Sequence, residues 1–233
     1  EWEVLDAHWQ GNDAIAVVAD AGPDAGMRRR SEQAAVWKLR LDGNVAAEKL
    51  AELPGGVALV RPEPNGERLA IIGHERPRQP SWADNHLFLV EGGEVKRLAP
   101  ALDRPVENVS TGDQLVRGSR MWCNWREDGT IGALVGDQGR AYPYQISPEN
   151  GAATPLLSGD VVTNMIAISS GKVAVLASVE SQPTEIYALE ANGLRPLTQN
   201  GSEWMQPYAR RPRNVSIRHR DGHDIELWIV DRA

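Results

Sequence analysis

The chain has 233 residues, a net charge of −7, a hydrophobic fraction of 41% and a mean hydropathy of −0.41. This length suffices for a sizeable core, and the acidic balance argues against a nucleic-acid surface, which needs clustered Lys and Arg. No apolar run approaches the ~20 residues of a membrane span, so we expect no membrane partner. The single cysteine, Cys123, excludes an intrachain disulfide and fits a reducing, cytoplasmic compartment.

Predicted strands recur along the chain in pairs. Four repeats of two strand pairs follow one another: 8–20 with 36–53, 59–74 with 86–100, 121–136 with 141–159, and 165–179 with 185–198. In each first pair the second strand is almost continuously apolar, as in AIAVVA, LAIIG, IGALVG and VAVLA. Short apolar runs between turn residues are typical of strands that are buried on both faces.

Each second pair is predicted to close through a turn that contains glycine, because glycine tolerates the positive φ of a tight hairpin turn. The spacings between successive turn glycines are 50, 58 and 42 residues. The turn glycines are Gly43, Gly93, Gly151 and Gly193.

The repeating unit is therefore four antiparallel strands, and its period matches the blade of a β-propeller. A β-sandwich is the structural rival, but sandwich strands lack a four-strand period. We expect an all-β fold with few helices. The predicted blades are 1–53, 54–100, 101–159 and 160–201, and their predicted inner strands lie near 5–9, 57–61, 120–125 and 163–168.

After Gly201 the pattern changes to a linker and one hairpin over 202–233, with its turn at Asp221-Gly222. The run P-T-E-I-Y-x-L at 183–189 is followed by L-x-P-L-T at 194–198 and by V-S-I-R-x-x-D-G-x-x-I-x-x-W at 215–228. This order resembles the propeller-to-hydrolase junction of the prolyl oligopeptidase family of serine peptidases, in its acylaminoacyl-peptidase and dipeptidyl-aminopeptidase-like branch. The W-x-x-D-G-x-I at 125–131 is similar to the start of blades in that family.

The resemblance implies a seven-bladed propeller beside an α/β-hydrolase domain. This chain would be the last four blades and the first hairpin of the hydrolase, with the true N-terminus missing. The Ser-Asp-His triad should lie outside it, and the sequence indeed contains no Gly-x-Ser-x-Gly nucleophile elbow. We therefore expect no activity from this chain alone.

The parent protein, by the same resemblance, is a bacterial serine exopeptidase or oligopeptidase. It would hydrolyse short or N-terminally blocked peptides, with the propeller acting as a size filter. The implied partners are the peptide substrate, the hydrolase domain and the missing blades. Homo-oligomers that pair through the open ends of the propeller are an alternative.

A stand-alone binding propeller, similar to periplasmic TolB-like modules, is the rival function. It has no catalytic activity, and it has no need of a hairpin after its last blade. The segment 214–233 therefore discriminates between the two functions.

Candidate substrate-channel residues are aromatic or charged side chains near the predicted inner strands or in the long loop of the second blade. For the loop, the alternative is a charged surface segment; for the tryptophans, it is packing between blades. Cys123 is expected to be buried and inert. The candidates are Arg120, Trp122, Trp125, His74, Glu75 and Trp82.

The run His219-x-Asp221-x-His223-Asp224 combines residue types that can bind zinc. The alternative is a solvent-facing hairpin turn with Asp-Gly at its tip. We expect the turn, no metal and no cofactor, because no third and fourth ligand can be placed.

Overall fold

The computed structural model describes residues 2–21, 34–42, 47–64, 66–77, 83–110, 120–180, 182–205 and 207–230. Within these ranges the chain forms eighteen strands and one helical turn, α1 (Ser202–Met205). The all-β prediction is confirmed.

Two four-stranded antiparallel sheets form the first half of the chain, each with its strands in sequence order. The first sheet contains β1 (Trp2–Gln10), β2 (Ala14–Ala21), β3 (Ala35–Arg40) and β4 (Ala47–Ala51). The second sheet contains β5 (Val57–Pro62), β6 (Leu69–Gly73), β7 (His86–Glu91) and β8 (Glu94–Arg97). These sheets are called blades 1 and 2 below.

Eight further strands form blades 3 and 4, and two more form a separate terminal hairpin. Blade 3 contains β9 (Cys123–Trp125), β10 (Ile131–Asp137), β11 (Arg140–Ile146) and β12 (Ala153–Pro155). Blade 4 contains β13 (Val161–Ser169), β14 (Lys172–Val179), β15 (Glu185–Glu190) and β16 (Gly193–Pro196). The terminal hairpin consists of β17 (Arg213–Arg218) and β18 (Asp224–Ile229).

The predicted inner strands correspond to β1, β5, β9 and β13, and the main difference is in the third. Strand β9 begins at Cys123 rather than at Arg120. The carbonyl of Arg120 instead accepts a hydrogen bond from the backbone N–H of Asn108 at 2.7 Å, so this part of the chain is held by the preceding connection. The blade boundaries proposed from the sequence remain predictions.

Blades 3 and 4 are joined by a hydrogen-bonded bridge that the repeat pattern did not predict. Ala141 of β11 pairs in parallel with Val162 of β13. The outer strand β12 pairs only with residues 144–146 of β11, which leaves the beginning of β11 free for this bridge.

The core lies between the blades, and blade 2 shows how alternation produces it. Val57, Val60, Leu69, Ile71 and Phe88 belong to the cluster shared with blade 1. Their sequence neighbours point to the other face and belong to the cluster shared with blades 3 and 4, because successive side chains of a strand alternate. Both faces of β6 are therefore covered, which explains its continuous apolar run. The neighbours in question are Leu59, Ala70, Ile72, Leu87 and Leu89.

The predicted glycine turns have the expected backbone. Gly93, Gly151 and Gly193 have φ values of 85°, 71° and 114°. In this region an L-side chain is strained, so glycine is the residue that fits. Gly43 lies outside the described residues.

The outward faces of blades 1 and 4 carry exposed apolar side chains. Trp2, Val4 and Trp9 on blade 1 are 44%, 55% and 64% exposed, and Met165 and Ile186 on blade 4 are 45% and 41% exposed. Large apolar side chains grouped in this way on sheet faces usually mark an interface.

Replacing Phe88 by alanine tests the packing between blades 1 and 2. Phe88 is 2% exposed, so Phe88→Ala should lower the free energy of unfolding by roughly 3–5 kcal/mol through lost burial and the cavity left behind. Val95→Ala in the same blade is the control, because Val95 is 37% exposed and its loss should cost less than about 0.5 kcal/mol. Urea denaturation measures both, and equal effects would contradict this account of the core.

Candidate functional site

One end of the blades carries the terminal hairpin and is called the hairpin face. It contains the described residues of the turns between second and third strands and of the connections that lead from one blade to the next. The turn between β10 and β11 and the residue that follows it contact the hairpin directly. Gln138 and Gly139 form this turn with φ values of 49° and 73°, the positive values of a two-residue hairpin turn.

Arg140, directly after that turn, makes the main contact between propeller and hairpin. Its Nε and Nη2 atoms donate to Asp160 Oδ1 at 3.1 and 2.9 Å, and its Nη1 atom donates to Glu226 Oε1 at 3.3 Å. Its guanidinium also stacks over the Trp228 ring, 4.4 Å from the centroid. The side chain is 17% exposed, so these charged contacts are partly shielded from water.

Gly139 provides the space in which Trp228 approaches the turn. A Cβ atom at this position would lie 2.9 Å from Trp228 Nε1, closer than real contacts allow. Glycine is thus required here for two reasons: the positive φ of the turn and the close approach of the Trp228 indole.

The linker that enters the hairpin adds a second contact. Arg211 Nη2 lies 3.1 Å from Glu180 Oε1 and 4.0 Å from Asp160 Oδ2. Between linker, hairpin and blades lies a cavity of about 350 Å³, lined among others by Arg140, Asp160 and Trp228.

Glu185 fixes the chain where it leaves blade 4. The residue is 4% exposed, and its carboxylate accepts hydrogen bonds from the Thr198 hydroxyl and, at 2.8 Å, from the backbone N–H of Gly201. The bond from Thr198 lowers the pKa of Glu185, burial opposes it, and the bond from Gly201 lowers it further. The glutamate of the P-T-E-I-Y-x-L run therefore holds the segment that leaves blade 4 in place.

Two of the predicted channel residues, His74 and Glu75, follow β6 on the hairpin face. His74 is 6% exposed and packs on Gly55, where an added Cβ would lie 2.0 Å from the imidazole Nδ1. Glu75 is exposed and lies 3.8 Å from Arg97. Only Glu75 is thus presented to solvent. Trp82 lies outside the described residues.

The loop after β6 is connected to the segment that precedes β9. Asn85 Nδ2 donates to Glu107 Oε1 at 2.9 Å, and the backbone N–H of Val106 donates to the Asn85 carbonyl at 2.7 Å. Asn108 in turn bonds Arg120, which is exposed. The structure therefore places Glu75 and Arg120 on segments that are linked across the hairpin face.

The two candidate tryptophans differ in their surroundings. Trp125 is 5% exposed in the core between blades 2 and 3, donates from Nε1 to the Arg61 carbonyl at 2.8 Å, and lies 5.0 Å from the Arg68 guanidinium. Trp125 therefore packs between blades and does not line an open channel. Trp122 is partly buried, and its ring lies 3.1 Å from where a Cβ of Gly132 would be.

An ion pair on the inner strands was missed by sequence reasoning. Asp6 Oδ2 accepts from Arg61 Nη1 at 2.6 Å and from the backbone N–H of Val60 at 3.0 Å, which joins β1 to β5. His8 lies 3.5 Å from Asp6, but burial and Arg61 lower its pKa while Asp6 opposes them. Asp6 and Arg61 are 55 positions apart, so no local pattern could have paired them.

The histidines of the hairpin tip point at one carboxylate. His219 Nδ1 and His223 Nδ1 lie 2.8 and 3.1 Å from Asp221 Oδ1, and all three side chains are exposed. In the described part of the chain, no group of three or more His, Cys, Asp or Glu could hold a metal ion. The arrangement is that of a solvent-facing turn.

Solved structures provide the comparison with known proteins, since no protein-family model and no curated protein matches the sequence. Pyrococcus horikoshii acylaminoacyl peptidase matches with 18% identity and a TM-score of 0.68 over 95% of this chain and 31% of its own. A puromycin-hydrolyzing peptidase of Mycobacterium tuberculosis matches with 15% identity and a TM-score of 0.68 over 98% of this chain and 34% of its own.

The β-propeller domain of the trilobed protease from Pyrococcus furiosus also matches, with 16% identity and a TM-score of 0.58 over 85% of this chain and 53% of its own. At these identities the likeness shows the fold. The chain is part of a β-propeller of the type found in such peptidases, which confirms the resemblance at the level of the fold. It spans about a third of the length of the first two peptidases.

No helix in the described ranges has the length and apolar character needed to span a membrane.

Glu185→Gln tests the anchor at the exit of blade 4. We expect the free energy of unfolding to fall by about 1–3 kcal/mol at pH 7, because the neutral amide makes weaker hydrogen bonds than the buried carboxylate. The folded pKa is lowered from 4.5, so the stabilisation is complete above that value and is lost as the pH falls through the folded pKa. Urea denaturation at pH 7 and pH 3 should therefore show a smaller difference between variant and parent at pH 3. A pH-independent difference would contradict the role of the charge.

Cys123 should not react with thiol reagents in the folded protein. It is fully buried, and burial raises its pKa from 9.0 to about 12. Three pKa units lower the thiolate fraction by about a thousandfold. Ellman's reagent at pH 8 should modify the thiol only after addition of guanidinium chloride, and fast stoichiometric reaction without denaturant would contradict the placement.

Proposed function

We propose that this chain is the propeller portion of a serine peptidase of the prolyl oligopeptidase type. The propeller adjoins a catalytic α/β-hydrolase domain on the hairpin face and admits short or N-terminally blocked peptides. Chemistry would be acyl transfer through a Ser-His-Asp triad that this chain does not supply. The fold of the similar peptidases supports the proposal.

The observation that carries it is the two-sided character of the terminal hairpin. Pairing places Trp228 opposite Asn214 and Glu226 opposite Ser216, and this side contacts Arg140. The other side carries aliphatic residues that are up to 50% exposed. An aliphatic sheet face needs a cover, and in the proposal the hydrolase domain covers it. The residues are Val215, Ile217, Ile225, Leu227 and Ile229, and Arg213 lies on the same side.

The uncovered faces of blades 1 and 4 support a second part of the proposal. Further blades of the same propeller would cover Trp2, Trp9, Met165 and Ile186, since blades stack face to face in this fold. Pairing with another copy of the chain is the alternative.

The candidate substrate contacts are the exposed predicted residues Glu75 and Arg120. Both lie on the hairpin face, so in the proposal they face the cleft between propeller and hydrolase. His74 and Trp125 are buried, and we assign them to packing.

Labelling with a fluorophosphonate probe tests the proposed activity. The full-length gene product should be labelled stoichiometrically, because a triad serine reacts with such probes, and the isolated 233-residue chain should not be labelled. Replacement by alanine of the serine in a downstream Gly-x-Ser-x-Gly elbow is the control and should abolish labelling. An unlabelled full-length product without such an elbow would favour a binding propeller instead.

The size filter has its own measurement in the same protein. Blocked di- and tripeptides should be hydrolysed, whereas an unfolded protein chain should survive. Equal hydrolysis of both would contradict the proposed size filter, although it would still support the peptidase activity.

A further inference from the structure

We propose that Arg140 locks the terminal hairpin to blade 3, so that hairpin and propeller move as one body. The positioning role rests on the proposed function: the catalytic domain covers the aliphatic side of the hairpin, so the contacts of Arg140 on the other side would set the position of that domain relative to the propeller. Arg140 is thus a positioning residue for the catalytic domain and not a catalytic one.

Arg140 connects three parts of the chain with one side chain. It follows the β10–β11 turn, it holds Asp160 in the connection between blades 3 and 4, and it holds Glu226 and Trp228 of the hairpin. Glu226 also accepts a hydrogen bond from Asn214 Nδ2 at 2.5 Å, so both hairpin strands are tied to the same carboxylate.

The geometry requires a guanidinium. Two nitrogens bond Asp160, a third bonds Glu226, and the guanidinium carbon lies over the Trp228 ring at 4.4 Å from its centroid. A lysine ammonium is a point charge without this planar fork, so it can satisfy one carboxylate but not the whole set. Because the side chain is largely buried, screening by salt weakens the contacts less than at an exposed pair.

The linker is held near both of its ends by side-chain contacts. At its beginning Glu185 holds the Gly201 N–H, and near its end Arg211 lies within ion-pair distance of Glu180 and Asp160. The hairpin is therefore anchored by contacts with blades 3 and 4 that do not involve its uncovered aliphatic side.

Hydrogen exchange in the full-length protein tests the lock. In Arg140→Met, amides of 213–230 should exchange about tenfold faster, because loss of charge-assisted bonds eases local opening. Amides of β10 should be unchanged. Arg218→Met is the matched control, because Arg218 pairs with Asp224 at 2.8 Å within the hairpin and is 67% exposed. We expect less than about a twofold change there.

Two further variants keep the test decisive if Arg140→Met folds poorly. Glu226→Gln and Trp228→Leu remove the same contacts from the hairpin side, and each should accelerate exchange in 213–230. Arg140→Lys should resemble Arg140→Met rather than the parent. Unchanged hairpin exchange in the folded variants, or equal acceleration by Arg218→Met, would overturn the proposal.

Exchange is measured without substrate, so its outcome is separate from the proposed peptidase activity. If the full-length protein hydrolyses peptides, Arg140→Met should also lower kcat/KM, whereas Arg218→Met should leave it unchanged. Accelerated exchange with no peptidase activity would retain the lock and reject only the proposed function; accelerated exchange with unchanged kcat/KM would reject the positioning role.

Discussion

The rest of the structure depends on one constraint: the middle strands of each blade are apolar on both faces and need a cover on both. Blade 2 meets it completely, since Ile71 packs toward blade 1 and Ile72 toward blade 3. Blade 2 alone would leave both faces in water, at roughly 25 cal/mol per Å². Stacking is therefore the source of stability, and it explains why the end blades expose residues such as Trp9 and Met165.

Stacking creates a second requirement, because each inner strand has one edge whose backbone groups find no strand partner, apart from the Ala141–Val162 bridge of β13. Side chains of the neighbouring blade supply the missing partners. Asp6 accepts from the Val60 N–H, and the Trp125 indole donates to the Arg61 carbonyl. Asn108 Nδ2 likewise donates to the Thr163 carbonyl at 3.1 Å. Buried backbone groups are costly when unpaired, so these polar contacts help to hold neighbouring blades together.

The sequence predicted what local pattern controls. Apolar runs located the buried strands, and glycines such as Gly93 located the turns. The separate hairpin after Gly201 was also predicted. The sequence did not predict long-range contacts. Arg140 bonds Glu226 across 86 positions, and no local pattern near either residue indicates the other. The sequence could not decide the role of Trp125, because an aromatic residue near an inner strand gives the same pattern whether it packs between blades, as Trp125 does, or lines a channel.

The outer strands of the blades have a consequence for solubility. Strand β8 is four residues long and carries Glu94 and Lys96, and β12 and β16 end in Pro155 and Pro196. Short, charged or proline-ended edges resist pairing with strands of another molecule. Growth of the sheets into cross-β aggregates is thereby discouraged at the blade perimeter. The apolar surface that these edges leave open to contact lies on the outward faces of blades 1 and 4, around Trp9 and Met165.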